Sequence, residues 1–343
     1  MHRYANKNFI IGSFNINALV GKFCELQDWI ETFDILCLQE TKIDASFPDS
    51  QFAVKGYECY RKDRKKGGGG ILLYVRKSIP SSQVRIRSKA VEAILVDIQL
   101  GQRLMSLLNV YKPPSVKNQT FTSDMCEILD AAISNRASVL CLGDLNCDIL
   151  KPQDSGKQGR AFLDICDIYG LDNLINEPTR ISISRESCLD IIATNSPTFA
   201  LKSGTMETGL SDHKLVYTIL NKKLSKPETV FTKGRCFKSF DANAFNKDLA
   251  CVLFNVAYVF EDINDICWAW EKMYTDVLDD HAPIRMRERK AASGQSKFIT
   301  PEIRKAIRKR NSLKRKFNKP RKTDDWEAYR KKSHGLHEAK VCC

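Results

Sequence analysis

Residues 8–222 alternate between strand-like and helix-like runs in a pattern that predicts an α/β fold. The expected architecture is a four-layer α/β/β/α sandwich of two mixed sheets, followed by a helical basic extension. Strand signals outnumber helix signals, and the helices fall at intervals instead of after every strand. That spacing argues for packed mixed sheets and against a regular doubly wound sheet. Charge marks off the extension: residues 285–343 hold 20 Lys/Arg against 6 Asp/Glu, whereas the 284 residues before them hold 34 against 35. The whole net charge of +13 therefore comes from the tail, which predicts a polyanionic partner or a solvated charged terminus.

Taken in order, Phe9–Phe14 is a strand, and Gly21–Thr32 is an amphipathic helix with Phe23, Leu26, Trp29 and Ile30 on one side. Ile35–Leu38 is a short apolar strand running out into Gln39-Glu40. The runs GGILLYV, SQVRIR, VEAILVDIQL and RLMSLLNVY are successive strands separated by glycine, proline or charged turns. A helix near 121–133 precedes the strand Ser138–Leu142, which closes on Gly143-Asp144-Leu145-Asn146. Another helix covers about 156–169, and CLDIIAT and KLVYTIL are the last strands of this domain. Residues 223–238 are polar, contain Pro227 and predict a linker. From 239 to 343 the pattern is helical. Ile263, Ile266, Cys267, Trp270, Met273, Tyr274 and Val277 recur at three- and four-residue spacing. Thr300-Pro301-Glu302 opens a second, strongly basic helix.

No apolar run is long enough to span a bilayer, and the N-terminus lacks a cleavable-signal pattern, so a membrane partner and secretion are not expected. The thirteen cysteines are odd in number, form no CxxC, and several sit in apolar runs. Those features predict free thiols in a reducing nuclear or cytoplasmic compartment, without a zinc site.

Four strand ends carry residues that bind metals or handle protons: Asn15 and Asn17, Glu40, and Asp144 and Asn146 where strands run out, and Asp212-His213 on the lip where KLVYTIL begins. Taken singly, Asn15 and Asn17 read as turn residues and Glu40 as an exposed strand-end acid, whereas Gly143-Asp144-Leu145-Asn146, with two polar positions at the end of a buried strand, leans toward function. Gathered at one rim of a sheet they would form an oxygen-rich pocket of the kind Mg²⁺ prefers. Asp190 stands inside an apolar strand, where an unpaired carboxylate is costly, so a partner such as His213 is expected. The run Arg61–Lys66 before Gly67–Gly70 is either a solvated hairpin or a DNA-facing loop. His281, His334 and His337 fall outside the pattern and are not expected to be ligands.

SFNIN, CLQET, VYKPP, GDLN, SCLDII and GLSDHK occur in that order, and the series resembles the motifs of the endonuclease/exonuclease/phosphatase superfamily. NEPTRI ahead of SCLDIIATN, and the form NVYKPP, resemble its apurinic-like branch from non-LTR (LINE-type) retrotransposons. The resemblance covers about 8–220 and continues weakly through 240–330. It implies Mg²⁺, with Mn²⁺ as a substitute, held by Glu40, Asn15 and Asp212. It also implies that Asp144 orients or deprotonates the attacking water, helped by Asn146, and that Asp190 fixes the tautomer of His213 beside the scissile phosphate. Tyr111 would bond a phosphate oxygen, and Asn17 and Lys112 would meet the substrate. The implied activity is Mg²⁺-dependent DNA nicking, with RNA as a further candidate partner for the basic extension. An inactive nucleic-acid-binding remnant, or an inositol or sphingolipid phosphatase, are the alternatives. Asn17 stands where repair-type members carry aspartate, which lowers the local charge and argues against a second metal position. The close at HGLHEAKVCC without reverse-transcriptase aspartates leads us to expect a truncated or domesticated element, or one whose frame closes early.

Overall fold

The computed structural model describes residues 8–65, 67–133, 138–150, 157–183, 185–222, 230–289, 301–318, 324 and 326–332. The first part of the linker (223–229), the helix-opening Thr300, and His334 and His337 lie outside these residues. Contacts divide the chain into two compact units, one of residues 1–225 with 293–343, the other of residues 226–292.

The larger unit opens with β1 (Phe9–Asn15), α1 (Phe23–Ile30), β2 (Ile35–Gln39), β3 (Tyr57–Lys62), β4 (Ile71–Arg76), β5 (Ser81–Val84), β6 (Glu92–Leu100) and β7 (Arg103–Tyr111). It continues with α2 (Asn118–Ile133), β8 (Ser138–Asp144), α3 (Lys157–Tyr169), β9 (Asp172–Asn173), the short ribbon of β10 (Arg180–Ile181) and β11 (Glu186–Ser187), β12 (Asp190–Thr194), β13 (Ala200–Met206) and β14 (Leu215–Leu220). Two six-stranded sheets result, in the orders β13-β14-β1-β2-β4-β3 and β5-β6-β7-β8-β12-β9. Only β1 with β2 and β7 with β8 pair in parallel within them, so both sheets are mixed, as expected.

The alternation along β1 explains the layering. Phe9 and Ile11 join a core with Ile94, Val96, Ile98 and Leu107 of the second sheet. Ile10 and Phe14 point the other way, into a core with Leu26 and Ile30 of α1. A strand buried on both faces reads as a continuous apolar run, and Phe9–Ile11 of β1, Ile35–Leu38 of β2 and Ile71–Val75 of β4 do. Strand β3 (YECYRK) was not among the expected strands, because its mixed polarity masks the period. All eleven described cysteines are free, and no described helix is long and apolar enough to cross a membrane.

The smaller unit holds β15 (Val230–Arg235), α4 (Ala242–Ala250), α5 (Ile263–His281) and β16 (Ile284–Arg289). Strand β15 occupies part of the stretch expected to be linker. Its backbone pairs antiparallel with β16, a long-range partner that local polarity does not reveal. On α5, Met273, Tyr274 and Val277 are half-buried, whereas Ile263, Trp268 and Trp270 remain exposed. The basic helix α6 (Pro301–Asn318) belongs to the larger unit.

Candidate active site

Register brings the predicted residues together. Asp144, at the end of β8, pairs across the ladder with Tyr111 on one side and with Asp190 on the other. In the other sheet the parallel pair β1 and β2 puts Asn15 beside Gln39, so Glu40 emerges next to it. Gly143 makes the first row possible: at φ 148°, a Cβ there would lie 1.8 Å from the carbonyl oxygen of Val110. Among the described residues, five non-glycine residues have positive φ: Asn17, Ala18, Glu40, Lys42 and Asn146. All five follow strands that feed this rim, and backbone strain of this kind clusters at functional sites.

Asn15 joins the two sheets. Its Nδ2 donates to Glu40 Oε1 (3.1 Å) and to Asp144 Oδ2 (2.7 Å), while its Oδ1 accepts from the Asn17 N–H (3.0 Å). The Tyr111 hydroxyl donates to Glu40 Oε1 (3.1 Å). Burial works against ionisation of Glu40, but the Asn15 amide and the Lys42 ammonium, 3.2 Å from Oε2, outweigh it and hold the carboxyl below its ordinary range. Asn146 donates its N–H to Asp144 Oδ1 (2.8 Å) and its Nδ2 to the Lys112 carbonyl (3.0 Å).

On the far side of Asp144, His213 Nδ1 lies 2.9 Å from Asp190 Oδ2, with both residues buried. The opening in β12 where a carboxylate interrupts an apolar run is thus explained by a histidine partner. Burial lowers the affinity of the imidazole for its second proton, yet Asp190, then Asp144 and Asp212, push its pKa up to about 9. Burial and the charge of Asp190 push the Asp144 carboxyl up to about 7.

Asp212 lies at the edge. Its carboxylate pairs with Arg180 (2.8 Å) and accepts from Asn17 Nδ2 (3.5 Å). Burial opposes its ionisation, but His213 and Arg180 bring its pKa down to about 2. Lys112 is fully buried, its ammonium 5.8 Å from the centre of the Phe121 ring and without a hydrogen-bond partner, so it meets the site through its backbone carbonyl. Asn17 Oδ1 accepts from the Lys42 ammonium at 2.5 Å.

The glycine run packs alongside Glu40: the Thr41 and Lys42 amides donate to the carbonyls of Gly70 (3.0 Å) and Gly69 (2.8 Å). Two cations before it are already paired, Arg61 with Asp63 (2.7 Å) and Arg64 with Glu92 (3.2 Å). Lys66 lies outside the described residues.

Several residues were not singled out from sequence. Lys22 Nζ donates to the carbonyls of Ile16 (2.5 Å) and Asn17 (2.6 Å), pinning the turn after β1. Thr179 Oγ1 accepts from the amides of Leu189 (3.0 Å) and Asp190 (3.1 Å), and its carbonyl accepts from Lys214 (2.6 Å). It therefore ties the Asp190 strand to the His213 segment. The signal was present, since Thr179 and Arg180 lie within NEPTRI.

The residues fit a divalent cation. Asp144, Asp190 and His213 each offer a ligand atom, all within 4.8 Å of one another. Asp190 Oδ1 is buried without a hydrogen-bond partner, and such an orphaned oxygen is costly unless a cation or donor meets it. Glu40, its side chain 19% exposed, adds a carboxylate on the open side.

Comparison with known proteins gives the family and the fold. The model of the endonuclease/exonuclease/phosphatase family matches residues 12–213. Among solved structures, the chain is similar to a 3′–5′ exonuclease (NExo) from Neisseria meningitidis, at 18% identity over 62% of this chain and 99% of that one, with a TM-score of 0.53. It is similar to a 3′ phosphatase from Neisseria bound to a product DNA hairpin (19% identity, 62% and 99% covered, TM-score 0.50). It is similar as well to the endonuclease domain of TRAS1, a telomere-specific non-LTR retrotransposon (14% identity, 64% and 100% covered, TM-score 0.50). At such identities the likeness establishes the fold. No curated protein matches the chain.

Proposed function

The chain belongs to the endonuclease/exonuclease/phosphatase family, and on that premise we propose that it is a Mg²⁺-dependent endonuclease that nicks DNA and leaves a 3′-hydroxyl, as in retrotransposon target-site cleavage. Members of the family are hydrolytic nucleases or phosphatases. The observation that carries the reading is the row Tyr111, Asp144, Asp190 with His213 closing it, because it supplies a base, a cation and an acceptor on one rim.

Phosphodiester hydrolysis needs an oriented water, relief of the charge that grows on the phosphate, and a stabilised leaving oxygen. Asp144, its pKa pushed up to about 7, is poised to accept a proton from water at neutral pH, and Asn146 beside it supplies an amide to orient that water. Asp190 holds Nδ1 of His213, so Nε2 is the nitrogen left for the phosphate, and a pKa of about 9 keeps the ring cationic there. Because Nδ1 of His213 and Oδ2 of Asp190 already engage each other, our choice of residues to hold Mg²⁺ is Glu40 and Asp144, joined by Asn15, with the unpartnered Oδ1 of Asp190 as a third oxygen. One carboxylate oxygen of Asp144 would then serve the cation and the other the water. A divalent cation held by these residues would offset charge on the phosphate and make water more acidic. Asp212, turned toward Arg180, supports the rim.

DNA is the proposed polymer because a structurally similar Neisseria enzyme carries a product DNA hairpin and TRAS1 is a retrotransposon endonuclease. The test is a labelled duplex incubated with protein and Mg²⁺, followed by polymerase extension of the nicked strand without end treatment. Direct extension supports the proposal. Ends that extend only after phosphate removal contradict the proposed 3′-hydroxyl, and absence of nicks favours an inactive remnant.

A further inference from the structure

Helix α6 buries cations where a helix of its composition would bury apolar residues. Ile303, Arg310 and Lys314 are buried, with Ala306 and Ile307 partly so, which makes one face by three- and four-residue spacing. Lys305, Arg308 and Lys309 point to the opposite, exposed side. Arg310 and Lys314 are each only 4% exposed. Removing a cation from water is costly unless a matched partner meets it, so the partners identify what the helix is built to hold.

Arg310 forms a two-pronged pair with Glu25 of α1, Nη2 to Oε1 at 2.5 Å and Nη1 to Oε2 at 3.4 Å, and Glu25 is itself buried. That pair fixes the helix to the α1 side of the unit. Lys314 then reaches the segment that leads into the site: its Nζ donates to the Ser211 carbonyl and lies 3.8 Å from Glu207 Oε2. Tyr329, in the helical residues 326–332, donates its hydroxyl to the Gly209 carbonyl (3.3 Å), and its ring lies 5.6 Å from Lys314 Nζ. The segment can come this close because residue 209 is glycine. At φ 76°, a Cβ there would lie 2.1 Å from Asn311 Oδ1 of α6. Two carbonyls immediately ahead of Asp212 and His213 are therefore held by the C-terminal helices. Ser211 passes the restraint on, since its Oγ accepts the His213 N–H (3.3 Å).

We propose that Lys314 and Arg310 are positioning residues, through which helix α6 clamps the Glu207–His213 loop and sets His213 against Asp190. The inference rests on the reading that His213 acts on a phosphodiester. It assigns the inner face of the basic helix to the catalytic loop, leaving only the outer face for nucleic acid. Buried as they are, neither cation can touch DNA. Their loss acts on the turnover step, because displacing a reacting group by about 1 Å costs on the order of 10²-fold in rate.

The test measures DNA nicking kinetics and backbone amide exchange in the full chain. Lys314→Met is expected to lower kcat about tenfold or more, with KM within about twofold of wild type, and to speed exchange of the 209–213 amides about tenfold. Lys314→Arg restores both, because its guanidinium can still donate to the Ser211 carbonyl. Arg310→Met reproduces the split from the other anchor. Should a methionine variant fail to fold, Lys314→Gln, which keeps a donor at that site, is expected to lie between wild type and Lys314→Met in both readouts. Unchanged kcat with unchanged exchange overturns the proposal. So does an effect confined to KM that grows with salt, which would make these residues DNA contacts. Exchange is read without substrate, so a wild-type protein that nicks nothing removes the functional reading, while unchanged exchange in Lys314→Met still decides against the clamp.

Discussion

Replacing Asp190 by asparagine keeps the side chain's shape and removes the charge that His213 bonds. The two groups are 2.9 Å apart, with side chains 0% and 4% exposed, so solvent screens little of the interaction. Burial alone lowers the pKa of His213, and Asp190 leads the groups that raise it from 6.5 to about 9. At about 1.4 kcal/mol per pKa unit, that rise corresponds to about 3 kcal/mol in favour of the imidazolium. A folded-state pKa above the unfolded value means that this stabilisation is complete below pH 6.5 and lost as pH climbs through about 9. In Asp190→Asn the ring should titrate near or below 6.5, followed by the histidine ring protons in NMR. The stability gap between wild type and variant, read by urea unfolding, should shrink by up to about 3 kcal/mol between the low and high ends of that window. Lys22, whose shift owes nothing to Asp190, cancels in the difference, whereas Asp144, which Asp190 helps push up to about 7, adds to the change at the low end of the window. Nicking at neutral pH should fall about 10²-fold or more, the usual cost of losing a preorganised electrostatic group. A ring that still titrates near 9 in the variant, or nicking within about threefold of wild type, refutes the reasoning.

Gly143→Ala places a Cβ 1.8 Å from the Val110 carbonyl oxygen, so urea unfolding should show a loss of at least about 2 kcal/mol; a wild-type midpoint would count against the close strand approach. Burial and Asp190 push Asp144 up to about 7, so protons and Mg²⁺ compete for it. Calorimetry should find Mg²⁺ binding tighter at about pH 8 than at about pH 6, and equal affinities would separate Asp144 from the metal position. Neutralising the exposed Lys305 and Lys309 together should weaken DNA binding and reduce the slope of log affinity against log salt by about 2; an unchanged slope would assign the outer face of α6 elsewhere.

The doubly buried strands were readable because burial on both faces leaves a run of apolar residues at Phe9–Ile11, Ile35–Leu38 and Ile71–Val75, with polar residues only toward the strand ends, and the turns between them carry glycine, proline or charge. Strand β3 was not, since its exposed side chains dilute the period, and β15 was not, since its partner β16 lies some fifty residues further along. Asp190 announced a partner by its chemistry: a carboxylate in an apolar run must be met, and His213 meets it. Lys112 gave no such warning, because lysine is seldom fully buried and nothing local signals that Phe121 will cover its ammonium. Thr179 and Arg180 act by backbone bonding and charge pairing across the site, roles that depend on which strands become neighbours. The basic face of α6 reads as a solvated surface until Glu25 and Ser211, nearly 300 and about 100 residues away in sequence, are seen to receive it.

Supercoiled plasmid incubated with purified protein and either Mg²⁺ or EDTA, beside Asp144→Asn and His213→Ala, tests the central claim most directly. We expect relaxed circles from wild type with Mg²⁺ alone, and loss of nicking by about 10²-fold or more in both variants. Equal nicking by wild type and variants, or nicking that persists in EDTA, would contradict a metal-assisted phosphodiesterase built on Asp144 and His213.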